Sequence, residues 1–394
     1  DPRWIGRDRF ILSAGHSSLT QYVQLYLSGF GLELDDVKKL RTAGSLTPGH
    51  PEYGHTKGVE ITTGPLGTGI ASAVGFAMNA RRVHGLLDPE TPLGESVFDH
   101  NVYVIAGDGC FEEGVSAEAS SLAGTQELGN ITVIWDDNHI SIEDNTSIAF
   151  NEDVLARYEA YGWHVQRVDW LGEDGSYEEN TAALNEALEA AKAETRKPSL
   201  IALRTIIGWP TPGKQNTGGI HGAKLGGEAL AGLKVALGAD PEKMFDVDAS
   251  VVDEVRARAA ARAAEYRKDW DARFEAWKAA NPEGAALLER LSAGRLPEGW
   301  EAALPTFEEG KALATRAASG QVLNAIAPVL PELWGGSADL AGSNNTFLKG
   351  EPSFLPAHRS SSAFSGDEFG RNLHFGVREF AMGAALNGIA ADGL

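Results

Sequence analysis

Two α/β domains with parallel sheets flanked by helices, the second incomplete, are what this sequence predicts. Three observations carry that expectation. Short apolar runs alternate with helical stretches through residues 101–207, the pattern of strands buried on both faces of a parallel sheet. A second series of the same kind starts near residue 312. The length, 394 residues, exceeds what one ordinary core supports.

Taken in order, "RFILSA" (9–14) reads as a strand ending in the loop "GHSS". Helices are expected over 19–28 and 33–41. The Gly/Pro/His-rich stretch 42–69 then reads as a long loop, and long loops inside a domain are usually functional. A small-residue helix leaves it at Gly69. "NVYVIA" (101–106), a helix over 112–127 and "NITVIW" (130–135) follow. Next come a helix near 151–160, "WHVQRV" (163–168), a helix over 177–194 and "SLIALRTII" (199–207). Residues 251–290 are Ala/Glu/Arg-rich and helical. The expected division is 1–268 for the first domain, 269–310 for a helical segment and linker, and 311–394 for the second. The strand "LWGGSADL" (333–340) belongs to the last, and "NGIAADGL" (387–394) reads as the middle of a fold.

Composition excludes several function classes. Net charge is −21, which repels nucleic acid and anionic lipid. No run of about 18 apolar residues suits a membrane span, and the first residues carry no signal-peptide core. The single cysteine, Cys110, excludes an intramolecular disulfide framework and suits a reducing cytosol.

The chemistry concentrates at two expected strand ends. "VIAGDG" delivers Asp108 between Gly107 and Gly109, and "VIWDDN" delivers Asp136, Asp137 and Asn138. Ligands of open α/β sheets sit beyond the carboxyl ends of strands, at a switch in strand order. A carboxylate, an amide oxygen and a main-chain carbonyl suit Mg²⁺ or Ca²⁺, with phosphate oxygens completing the shell. The helix after Gly109 would add its positive end. An Asp-Gly turn after a strand is also an ordinary structural device; the two complementary strand ends together favour the functional reading. Three histidines stand beside glycine in loops: His16, His50 and His221. As a set they offer donors and acceptors that switch near neutral pH, and no HExxH spacing points to zinc. Glu379 stands among Val377, Phe380 and Met382, where an unpaired carboxylate is costly; burial is expected to raise its pKa. A surface ion pair with Arg378 is the plainer alternative. "GPLGTG" lacks the third glycine of a dinucleotide fingerprint, Ser72 standing there.

The spacing from Gly107-Asp108-Gly109 to Asp137-Asn138 resembles the thiamin diphosphate motif, with Asp in place of the generic Asn at the first position of the second part. "RDRFILSAGHSS", "TPGHPE", "TTGPLGTGIASAVGFAM", "GDGCFEEGVSAEASSLAGT", "DDNHISI", "YEAYGWHV", "KPSLIALRTIIGWPTP", "GIHGAKLG", "GGSADLAGSN" and "HFGVREFAMGAALNGIA" narrow it to the transketolase family. Transketolase monomers are longer, so the resemblance implies a chain incomplete at both ends. It implies thiamin diphosphate and Mg²⁺ as cofactors, with Asp108, Asn138 and the Ile140 carbonyl on the metal. Gly64, Pro65, Leu66, Gly107, Gly109, Glu113, Ile142 and Asp339 would meet the cofactor. His16 and His221 would contact diphosphate or sugar, and His50 the reaction centre. Arg316 and Ser343 would grip a sugar phosphate. Glu379 would bond the pyrimidine N1′, and Glu113 would approach the partner's acid in a homodimer with interfacial sites. "SADLAGSN" has Gly342 where many relatives carry Pro. The implied reaction moves a two-carbon ketol unit from a ketose phosphate to an aldose phosphate. Dihydroxyacetone synthase and deoxyxylulose-phosphate synthase are near alternatives, which "TPGHPE" and "GIHGAKLG" disfavour. A noncatalytic module is the alternative of another class, since a further glycine-flanked histidine loop, the aromatic pyrimidine pocket and basic phosphate-binding residues are not in this sequence.

Overall fold

The computed structural model describes residues 4–393. Five parallel strands form the first sheet: β1 (Arg9–Leu12), β2 (Val102–Gly107), β3 (Ile131–Asp137), β4 (His164–Asp169) and β5 (Ser199–Arg204), in the order β1-β2-β3-β5-β4. Alternation of the chain between these apolar runs and amphipathic helices produces this arrangement, because parallel strands need long crossovers that cover both faces. The strand order reverses only at β4–β5. The acidic ends of β2 and β3 therefore lie at the carboxyl edge, as expected, but away from the reversal.

The first-domain helices are α1 (Ser18–Leu27), α2 (Leu34–Lys38), α3 (Thr68–Leu87), α4 (Asp108–Glu112), α5 (Gly114–Thr125), α6 (Val154–Tyr161) and α7 (Thr181–Ala193). The expected single helix over 112–127 is two. Glu113 breaks it with extended backbone, φ −70° and ψ 130°. After α8 (Gly227–Ala236), α9 (Ala249–Ala280) runs unbroken through 268–269, and α10 (Pro282–Ser292) follows after Asn281, whose side chain accepts from the Gly284 N–H.

A second parallel sheet, ordered β6-β9-β7-β8, comprises β6 (Gly335–Ser337), β7 (Ser353–Phe354), β8 (Gly366–Asp367) and β9 (Asn372–His374). With it go α11 (Thr315–Ile326), α12 (Ala341–Asn344) and α13 (Glu379–Asp392). The expected strand 333–340 shortens to three residues, and β7 and β8, two residues each, have no periodicity to reveal them.

Helix α3 is the spine. Its residues from Gly69 to His84 are all buried, because it is enclosed by the first sheet, α5 and α13. Small residues permit that: a Cβ on Gly75 would stand 1.9 Å from the Ala385 carbonyl oxygen of α13. Two buried arginines at its far end have their charge dispersed on carbonyls. Arg81 donates to Gln126 and Glu127, and Arg82 to Phe369 and Pro331 of the second domain. One apolar cluster, from Val104 and Phe111 through Ile70 and Phe76 to Ala381 and Phe354, joins the two sheets. Among the described residues no helix is long and apolar enough to cross a membrane.

Candidate active site

Strands β2 and β3 end level: Gly107 pairs with Asp136. Asp108 and Asn138 consequently meet just beyond the edge, where the Asn138 N–H donates to Asp108 Oδ2 at 3.2 Å. Asn138 Oδ1 accepts the Ile140 N–H at 3.0 Å and so shapes the following turn. His139 passes through that turn in the left-handed region, φ +62°. An isolated antiparallel bridge between Ile140 and Asn145 uses the His139 and Asp144 carbonyls and leaves the Ile140 carbonyl outside the ladder.

Asp108 is only 6% exposed. Burial, then the neighbouring Asp137 and Asp136 carboxylates, push its pKa from 3.8 up to about 7. Such a rise corresponds to roughly 4 kcal/mol opposing its ionisation. Asp136 is raised as well, by burial first. Its Oδ1 accepts from Thr205 Oγ1, and Asn138 Nδ2 approaches its Oδ2 at 3.4 Å. Asp137 Oδ1 lies 2.9 Å from His139 Nε2 and 3.9 Å from Arg204, whose guanidinium donates to the Asp137 carbonyl. Three carboxylates converge with too little positive charge close to Asp108.

A hard divalent cation fits this donor set. Asp108, the remaining lone pair of Asn138 Oδ1 and the Ile140 carbonyl are all oxygens, which Mg²⁺ and Ca²⁺ prefer. Among the described residues no cluster of three His, Cys, Asp or Glu side chains has metal-holding geometry, as expected where only one ligand is a carboxylate. The expected helix-dipole contribution is small. Helix α4 begins at Asp108 itself and is five residues long, and a macrodipole needs more aligned peptides.

The loop 64–67 packs directly over this edge. Gly64 has φ +148°, and a Cβ there would meet the His50 ring at 3.4 Å; Gly67, φ +79°, would meet Glu113 Cβ at 2.7 Å. A Cβ on Gly109 would meet Leu66 Cδ1 at 2.8 Å. Gly64 and Gly67 hold backbone conformations that side chains rarely adopt, and at Gly67 the obstacle is a Cβ that cannot swing aside. Thr68 Oγ1 closes the turn onto the Pro65 carbonyl at 2.7 Å.

His16, His50 and His221 gather on the same side. The His16 and His221 rings lie 5.1 Å apart. Burial, then His221, His50 and Arg41, hold His16 below its usual 6.5, so it is an uncharged donor–acceptor at neutrality. The His221 loop leans on the Ile140 turn, since a Cβ on Gly218 would stand 3.2 Å from the Ile142 carbonyl oxygen. Ile142 itself is 75% exposed. A cavity of about 620 Å³ opens beside His50, lined also by Arg41, Ser45, Glu52 and His55.

The second-domain residues stand apart from this group. Arg316, Asp339, Ser343 and Glu379 are exposed, and among the described residues none makes a hydrogen bond or ion pair to the first-domain cluster. The expected burial of Glu379 is not found within one chain: Val377 and Phe380 beside it are 74% and 77% exposed. Its helix turn is nonetheless held, the Ala381 N–H donating to Glu118 Oε2 at 2.9 Å and Arg378 to Ser121 at 3.0 Å. Arg378 therefore serves α5, not a pair with Glu379. Asp339 adopts φ +61° and Gly342 meets nothing within 4 Å.

Sequence reasoning missed Arg41, Thr205, Arg204 and Glu118. The first had a signal in its closeness to the 42–69 loop; the strand-end pair had none, because the adjacency of β5 to β3 is not local information.

Two family models divide the chain. Residues 1–297 match the transketolase thiamine diphosphate binding domain, and 311–394 the transketolase pyrimidine binding domain. The chain belongs to the transketolase family. It is 58% identical over 394 residues to a transketolase of Mycobacterium tuberculosis (strain H37Rv), covering 100% of this chain and 55% of that one. The transketolase of Geobacillus stearothermophilus is 47% identical over 394 residues, with 56% of it covered. Among solved structures, a Pichia stipitis transketolase in complex with sedoheptulose 7-phosphate superposes with a TM-score of 0.91 at 44% identity, and that of Leishmania mexicana with 0.89 at 42%. Each alignment covers 100% of this chain and 56% of the other. The chain thus spans about half the length of the transketolases it matches.

Proposed function

We propose that this chain carries the diphosphate-and-metal half of a transketolase site together with the acid that completes its partner's. Thiamin diphosphate would supply a carbon nucleophile, moving a two-carbon ketol unit from a ketose phosphate such as xylulose 5-phosphate to an aldose phosphate such as ribose 5-phosphate. The single observation that carries this reading is the meeting of Asp108 with Asn138 at the level ends of β2 and β3. A buried carboxylate whose ionisation is opposed calls for a cation, and a cation at a glycine-lined edge calls for phosphate oxygens.

The chain's own residues take definite parts. Asp108, Asn138 and the Ile140 carbonyl would hold Mg²⁺. Gly64, Pro65 and Leu66 would form the wall against which the cofactor lies, with Gly107, Gly109 and Ile142 beside it. Neutral His16 can accept or donate a proton toward a hydroxyl, and His50 and His221 would orient the substrate in the cavity by His50. Glu379, with Asp339, Arg316 and Ser343, would act in the partner's site, binding the pyrimidine and the sugar phosphate; Glu113 would meet the partner's acid. Their exposure supports a homodimer, because such groups function only where a second surface excludes water. The relation to a Pichia stipitis enzyme complexed with a sugar phosphate supports the substrate class over a noncatalytic module.

Calorimetry with thiamin diphosphate, with and without Mg²⁺, tests the reading. Metal-dependent binding is expected; binding unaffected by chelator, or none, overturns it. Turnover of xylulose 5-phosphate with ribose 5-phosphate separates transketolase from its ketol-transferring relatives.

A further inference from the structure

At the opposite end of α13 from Glu379, Asp392 enters the first domain. Its side chain is 3% exposed. Oδ1 accepts from Arg9 Nε of β1 at 2.7 Å, and Oδ2 from Asn79 Nδ2 of α3 at 2.9 Å. His100 Nε2 lies 3.8 Å from Oδ2 without a hydrogen bond. Burial, then Arg9, keep that ring uncharged down to about 4, so Arg9 is the counter-charge and the cluster is internally neutral. Between the two ends α13 touches α3 backbone to backbone: a Cβ on Gly388 would stand 1.9 Å from the Ser72 carbonyl oxygen, matching the Gly75–Ala385 contact.

We propose that Asp392 is a positioning residue, which fixes the angle of α13 across α3 and thereby the place of Glu379. This rests on the functional reading above, in which Glu379 binds the pyrimidine. A helix is stiff and rises about 1.5 Å per residue. From the Gly388 crossing to Asp392 is therefore about 6 Å, and to Glu379 about 13.5 Å. The two glycine-on-backbone contacts, at Ala385 and Gly388, lie within one turn of each other, so they define the closest approach of the axes but hold the helix ends less firmly. One ångström of slack at Asp392 becomes about two at Glu379, and misplacement of that order costs about a hundredfold in rate. The part-buried hydrogen bonds of Ala381 and Arg378 to α5 resist rocking less than a buried pair whose breaking leaves a charge uncompensated. Helix α3 also begins at the 64–67 loop. The anchor therefore ties the cofactor wall of one site to the acid presented to the other.

The test compares the parent with Asp392→Asn and with the double variant Arg9→Met/Asp392→Leu, which leaves no lone charge buried and guards against simple unfolding. Hydrogen exchange on the protein without cofactor should accelerate about tenfold over residues 379–385 while α3 and β2 stay protected. Thiamin diphosphate affinity with Mg²⁺, from tryptophan fluorescence, should fall about tenfold. A folded double variant with unchanged exchange over 379–385, or with uniform acceleration everywhere, overturns the proposal. If the parent itself binds no thiamin diphosphate, the functional reading fails, and exchange alone still decides the anchor.

Discussion

Asp108 is a carboxylate in a place that opposes its ionisation. Replacing it by asparagine keeps the shape and the Asn138 contact but removes the ligand charge. Metal-dependent thiamin diphosphate binding should weaken at least about a hundredfold, since even outer-shell changes cost 10–100-fold; calorimetry on a variant with an unaltered circular dichroism spectrum checks this. His84 is a residue of another kind, buried between Asp99 Oδ1 at 2.7 Å and the Thr91 carbonyl at 2.8 Å. Burial disfavours its charge, but the Asp99 carboxylate outweighs this and holds the ring above its usual 6.5. A group that binds its proton more tightly when folded stabilises below its unfolded pKa and loses that contribution as pH rises through the folded one. The stability lost in His84→Gln should therefore be largest near pH 5.5 and shrink toward pH 9, as urea titrations at each pH will read. At this scale the sequence spoke clearly where spacing is local, as at Asp108, Asn138 and the glycine-flanked histidines. It misled at Glu379, because apolar neighbours along a chain indicate burial only when that chain supplies the covering surface.

Among elements, α3 shows how composition becomes geometry. Its Gly and Ala content was legible as close packing on a sheet. That α13, 300 residues later, supplies the other covering surface was not, since long-range helix pairing leaves no local period. Gly75→Ala should cost about 1–3 kcal/mol or more, the range for overpacked cores, because the obstacle is the Ala385 carbonyl and not a side chain that can turn aside; chemical denaturation measures it. The break at Glu113 escaped sequence reasoning for a related reason. Gly114, directly after the break, is a weak local signal for it, and the close approach of the Gly67 loop to Glu113 comes from residues far away in the chain.

The whole molecule sets an overall charge of −21 against large apolar side chains left exposed on α13 and just before it, Val377, Phe380 and Leu386, the last 60% exposed. Several such side chains on one element suit burial against a second surface. Phe380→Asp should shift the proposed homodimer toward monomer, about tenfold or more in dissociation constant, by sedimentation equilibrium; unchanged association would remove the proposed interfacial site. The first sheet was readable from its apolar runs. The second, whose strands are two or three residues long, lacked enough pattern to read in detail. Its membership came instead from motif order. One property of the first sheet governs what sequence change this protein can absorb. Since Gly107 and Asp136 are ladder partners, slipping β3 by a single residue would turn its side chains to opposite faces and carry Asn138 past Asp108. A one-residue insertion within β3 should therefore cost stability and metal-dependent cofactor binding together, read by chemical denaturation and calorimetry, whereas additions to the solvent-facing 173–176 loop should be tolerated.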